Sequence, residues 1–179
     1  MPLYTSAQQA ITALMRSVPD FPEPGVLFRD LTPVLANATG FQLLTDHMAD
    51  VARTHKAELI AGLDARGFVF GAAVAKAVGT GCLAVRKAGK LPPPVLREEY
   101  ALEYGTAALE LPGEGIDVMG VRVLIVDDVL ATGGTVNASR ALLERAGAHV
   151  VGTSVVLELE ALGGRSRLSD MPIDSILSL

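Results

Sequence analysis

Residues 121–135 read VRVLIVDDVLATGGT, a nearly unbroken apolar run that meets two adjacent acids and then a small glycine-containing loop. The apolar character of 121–126 exceeds simple alternation, as expected for a strand covered on both faces of a parallel sheet. Working outward, apolar patterning predicts further strands near 58–63, 82–85, 106–111 and 150–157. Helical spacing predicts helices from Ser6, a suitable N-cap, to before Pro19, and over 40–55, 68–78 and 136–146. Residues 20–33 read as irregular, with an extended piece at 26–28. Strands alternating with helices imply βαβ units, a mostly parallel sheet and right-handed crossovers. The fold class is therefore α/β, a central mostly parallel sheet flanked by helices.

The bulk properties agree. A chain of 179 residues, half apolar and one fifth charged, suits one domain over 1–179. No segment approaches the ~18 uninterrupted apolar residues of a membrane span. The first residues lack the basic head and apolar core of a secretory signal. The single cysteine, Cys82, permits neither an internal disulfide nor a cysteine metal cluster. A cytoplasmic protein is expected. Net charge is −5 and lysine and arginine form no run, so a nucleic-acid partner is disfavoured. His47, His55 and His149 show no ligand spacing.

Ligands of open α/β sheets sit outside the carboxyl ends of the strands. Asp127 and Asp128 fall at such an end. Ala131, Thr132, Gly133, Gly134 and Thr135 join that strand to the next helix. Backbone N–H groups and the helix N-terminus can point at one anion there, with two threonine hydroxyls beside them. The glycines permit close approach and positive φ. The loop reads as a phosphate cradle, without the Gly-Lys-Ser/Thr ending of a Walker loop. Carboxylates repel phosphate but accept hydrogen bonds from a diol or hold a divalent metal. A ribose 5-phosphate satisfies both halves of the stretch. An acidic pair on its own would more simply start a turn.

These residues resemble the 5-phosphoribosyl 1-diphosphate (PRPP) motif of the type I phosphoribosyltransferases. Four other segments resemble the adenine phosphoribosyltransferases: FPEPGVLFRD at 21–30, GLDARGFVFG at 62–71, VRKAGKLP at 85–92 and LEYG at 102–105. A looser match lies at 159–165. The chain departs from the family's commonest pattern at Val95, where many relatives carry a hydroxyl, and at Asp64, where some carry glutamate.

The resemblance implies a type I phosphoribosyltransferase fold with an N-terminal hood over 1–35 and a flexible lid over 87–105. It implies adenine and PRPP as substrates, AMP and diphosphate as products, Mg²⁺ travelling with PRPP, and a homodimer. Asp64, Ala65 and Arg66 become a diphosphate loop with a cis peptide between the first two. Arg86, Lys87, Lys90 and Tyr104 also face the diphosphate. Asp127 and Asp128 hold the ribose hydroxyls and, directly or through water, the metal. Glu103 becomes the acid/base residue. The main chain of Leu27 and Arg29 reads the base, with Phe28 as a pocket wall. Two rival readings are a 6-oxopurine transferase and a PRPP-sensing regulator. The first wants a lysine near the base segment; the second wants a DNA-binding domain or a basic face. Neither feature is present in the sequence.

Overall fold

The structure, a computed structural model, describes residues 4–101 and 106–179. It divides into two compact units, 1–47 and 48–179.

In the first unit, helix α1 (Ala7–Leu14) starts at Ser6, whose hydroxyl accepts from the Gln9 N–H at 3.2 Å. This satisfies one of the donors that a helix start leaves over. Strand β1 (Arg16–Pro19) pairs antiparallel with β2 (Leu27–Asp30), Val18 opposite Phe28. The pattern predicts one longer helix and an irregular 20–33. The helix ends instead at Leu14, and the four-residue strands are too short for a period-2 signal. A short helix α2 (Thr32–Leu35) follows, and α3 (Ala38–Thr54) runs through the boundary into the second unit.

The second unit is built on β3 (Leu59–Leu63), α4 (Gly67–Val78), β4 (Gly81–Lys87), β5 (Val95–Ala101), β6 (Thr106–Pro112), β7 (Arg122–Leu130), α5 (Gly134–Arg145), β8 (His149–Glu158), α6 (Gly164–Arg167) and β9 (Ile173–Ser178). Its seven strands are ordered β5-β6-β4-β3-β7-β8-β9. The run from β4 to β9 is parallel, while β5 and β6 form an antiparallel arm joined to β4. Ala61, Leu63, Val123 and Ile125 belong to one buried cluster with Val136, Leu142 and Leu143 of α5. Alternate residues of a strand face opposite sides. Ile60, Gly62 and Leu124 therefore face the other side, where Gly71 of α4 lies against Gly62. A helix covers each face of the sheet.

Two strand expectations change. The sequence implies a long loop over 87–105, but β5 lies within it. Pro92–Pro94 and the charged run Arg97-Glu98-Glu99 hide its alternation. The sequence puts the acids at a strand end, yet β7 continues to Leu130 along β8, while its pairing with β3 stops at Val126. Asp127 and Asp128 thus stand just past the point where one flank of the strand loses its neighbour. Among the described residues, no helix is long and apolar enough to cross a membrane.

Candidate active site

A cavity of about 640 Å³ opens at that step. It is lined by Asp64, Ala65, Arg66, Lys87, Tyr100, Ala107, Asp127, Asp128 and Thr135. Three separate turns thus converge at the carboxyl edge of the sheet.

The first is the turn after β3. The Asp64–Ala65 peptide is cis, as the resemblance implies. Gly67 then starts α4 so close to β7 that a Cβ on it would lie 2.7 Å from the Val126 carbonyl oxygen and 2.9 Å from Asp127 Oδ1. That approach brings Arg66 to Asp128, with Nε 2.6 Å from Oδ2. Asp128 is buried and Arg66 is half exposed. Asp64 accepts from Arg86 Nε at 3.0 Å and from the Lys87 N–H at 3.4 Å. The Arg86 guanidinium also sits 5.4 Å from the centre of the Phe68 ring. The guanidinium groups of Arg66 and Arg86 are therefore ordered by the acids of their own site.

The second is the end of β7. Asp127 Oδ1 accepts from the Asp128 N–H at 2.9 Å. Burial, and after it the neighbouring Asp128 charge, holds the Asp127 carboxyl well above the usual carboxylate range. A group in that condition favours neutral hydroxyl donors or a cation and disfavours an anion. Among the described residues no three His, Cys, Asp or Glu side chains gather as a metal cage. The donor set of Asp127 and Asp128 fits a hard divalent ion that brings most of its oxygen ligands with its substrate.

The third is the loop 131–135. Residues 129–136 enclose a small hollow of about 60 Å³. Gly133 has φ 81°, and the first intrahelical bond of α5 runs from the Asn137 N–H to the Gly133 carbonyl at 2.9 Å. The N–H groups before Asn137 have no acceptor within the helix. The first turn carries no acid and the last carries Arg145, so the N-terminal end keeps its positive field. Thr132 is exposed at the rim. The Thr135 hydroxyl lies 3.4 Å from that of Tyr100 on β5.

Tyr100 and Ala107 are the lining residues that sequence reading misses. They are register partners in the β5–β6 pairing, which the sequence does not display. Lys90 is exposed and does not line the cavity. Glu103 and Tyr104 lie outside the described residues. In the first unit, Leu27 is exposed, and the partly buried Phe28 meets Phe21 edge-on at 5.2 Å. Arg29 donates to the Ser17 hydroxyl at 2.5 Å. Among the described residues β2 is paired on one side only, by β1.

Comparison with known proteins agrees with this geometry. Residues 32–176 match the phosphoribosyl transferase domain. The chain is 59% identical to the adenine phosphoribosyltransferase of Corynebacterium kroppenstedtii over 95% of this chain and 93% of the relative. It is 60% identical to that of Corynebacterium diphtheriae over 97% and 94%. The crystal structure of adenine phosphoribosyltransferase from Thermoanaerobacter pseudethanolicus superposes with a TM-score of 0.91 at 43% identity, covering 96% of this chain and 99% of that one. The Saccharomyces cerevisiae enzyme, complexed with an imino-altritol bisphosphate and adenine, gives 0.88 at 38%, covering 96% and 98%. A match of the family domain over 32–176 and identities near 60% over almost the whole chain, on a mostly parallel sheet whose carboxyl edge gathers the 64–66 turn, two acids and the 131–135 loop, mean that the chain belongs to the phosphoribosyltransferase family, in the branch of the adenine phosphoribosyltransferases.

Proposed function

We propose a division of labour for the reaction of this branch, in which adenine and PRPP give AMP and diphosphate. The observation that carries it is the single cavity shared by the 64–66 turn, Lys87, both aspartates and Thr135. Residues 131–135 hold the 5-phosphate through main-chain amides and threonine hydroxyls. Asp127 and Asp128 accept from the two ribose hydroxyls. Arg66 and Arg86 turn from Asp128 and Asp64 toward the diphosphate, which carries more charge than one carboxylate, and Lys87 joins them there. Lys90 and Tyr104 approach it from the lid.

Asp127 and Asp128 would hold Mg²⁺ together with substrate oxygens, and the ion would supply positive charge beside the diphosphate. The chain's own part is to place the purine N9 opposite the leaving group and to stabilise the charges that develop. Glu103 takes a proton from the purine as N9 attacks. The lid excludes water that would otherwise hydrolyse the activated sugar.

The main chain of Leu27 and Arg29 reads the 6-amino group and the adjacent ring nitrogen, with Phe28 walling the base. The one-sided pairing of β2 supports this, because its other edge offers carbonyl and N–H groups. A 6-oxopurine reverses that donor and acceptor order and leaves buried groups unpaired. The enzyme works as a homodimer, which sedimentation equilibrium checks. Diphosphate release with PRPP, Mg²⁺ and each purine in turn tests the function: adenine should support turnover and hypoxanthine should not. Turnover with hypoxanthine alone would overturn the base assignment.

A further inference from the structure

The cradle does not stand alone. Glu158 ends β8 opposite Leu130, the last residue of β7 and the one just before the cradle. The chain then turns through 159–164 and returns to Arg165. Arg165 Nε donates to Glu158 Oε1 at 2.8 Å and Oε2 at 3.1 Å, and a second guanidinium nitrogen also bonds Oε2. The same guanidinium donates to the Ile173 carbonyl at 3.0 Å and the Ser175 hydroxyl at 3.1 Å, and Ser175 in turn donates to Glu158 Oε2 at 2.9 Å. Glu158 is only 4% exposed. The turn is thus clamped shut at its base.

The tip of this clamped turn presses on the phosphate loop. A Cβ on Gly164 would lie 2.2 Å from the Ala131 carbonyl oxygen and 3.0 Å from the Gly133 nitrogen. Reciprocally, a Cβ on Gly133 would lie 2.9 Å from the Gly164 carbonyl oxygen. The backbone at Gly164 is outside the left-handed region, so contact alone bars a side chain there. We infer that Gly164, held by the Arg165–Glu158 clamp, is a positioning residue that sets the curve of residues 131–135 and thereby the affinity for a sugar's 5-phosphate. The inference rests on the reading of that loop as the phosphate cradle.

Gly164→Ala tests it. The added methyl must displace the Ala131 carbonyl or the Gly133 amide, which misaims several donors at once. Calorimetry with AMP and with adenosine isolates the phosphate contribution. AMP affinity should fall about ten- to hundredfold, since each charge-assisted bond is worth ~1.5–3 kcal/mol. Adenosine affinity should stay within about twofold, a shift below ~0.5 kcal/mol. KM should rise for PRPP and not for adenine. Gly81→Ala, whose Cβ would meet only the Leu59 side chain at 3.1 Å, is the comparator and should leave both affinities unchanged. A folded Gly164→Ala protein with parental AMP affinity, or with equal losses for AMP and adenosine, overturns the inference. Should that variant not fold, Arg165→Lys decides. It keeps the charge but loses the two-toothed grip, so AMP should again weaken selectively, and unchanged AMP binding overturns the proposal. The parent separates the two readings: a parent inactive with adenine and PRPP sinks the function, whereas an active parent with an indifferent Gly164→Ala sinks only this inference.

Discussion

Asp127 carries an electrostatic cost in the ligand-free protein. Its carboxyl is pushed up by burial and by Asp128, so folding favours its protonated form. Such a group stabilises the fold at low pH and loses that contribution as pH rises from the ordinary value of 3.8 through the raised one. Asp127→Asn removes the charge and keeps the shape. The variant should melt higher than the parent at pH 7, by about 2–4 °C for each kcal/mol relieved, while its KM for PRPP rises. Calorimetric melting beside steady-state kinetics checks both halves, and a lower melting point would contradict the burial argument. For the proposed acid/base residue, Glu103→Gln should lower kcat by about 10²–10⁴. Glu99→Gln should leave kcat nearly unchanged, because Glu99 is an exposed partner of Arg97 at 3.2 Å. Comparable losses in the two would remove Glu103 from its role.

At the scale of elements, the decisive piece is β5. It lies on the antiparallel arm, pairs with β6 and is tied to α5 through Arg145, which meets Glu98 Oε2 at 2.6 Å and also donates to the Arg97 carbonyl. Tyr100 hangs from this strand into the cavity. Arg145→Ala should loosen the strand, raise KM for PRPP several-fold and speed proteolytic cleavage near 95–101, with a modest change in melting point. A cleavage rate equal to the parent's would mean that the β6 pairing alone holds the strand.

What was legible in the sequence divides along the same line. The two acids and the proposed cradle form one contiguous stretch, the end of a buried strand and the turn after it, so that proposal could be read locally. The cis Asp64–Ala65 peptide came from the family resemblance. The β5 strand is only partly buried, carries the charged run 97–99 and is preceded by prolines, so no clear apolar period marks it. The partners of Arg66 and Arg86 depend on which strand ends the fold brings together, and no local pattern encodes that.

At the scale of the molecule, the Glu158–Arg165 pair joins the last parallel strands to the turn behind the cradle. Arg165 holds the Glu158 carboxyl below its ordinary 4.5, chiefly by hydrogen bonding. A lowered acid contributes stability above that value and loses it as pH falls through the folded one. Glu158→Gln should therefore cost about 1–3 kcal/mol at pH 7, discounted toward the lower figure because Arg165 is 48% exposed. The melting-point gap between parent and variant should shrink below about pH 4. A gap that stays constant from pH 7 to 3 would assign the effect to packing.

The stagger at the end of β7 has a dynamic consequence. Because β8 still grips the end of β7 after β3 has let go, the two acids line the cavity from a backbone anchored along one side. Recognition there needs no disorder-to-order step. Amide deuteration of the ligand-free protein should leave those amides of 127–130 that bond to β8 as slow as the interior of the same strand, with fast uptake at the glycine turn beyond. The acid-lined end of the cavity would then be a fixed ledge, and adaptation on binding would fall to the turn and the antiparallel arm.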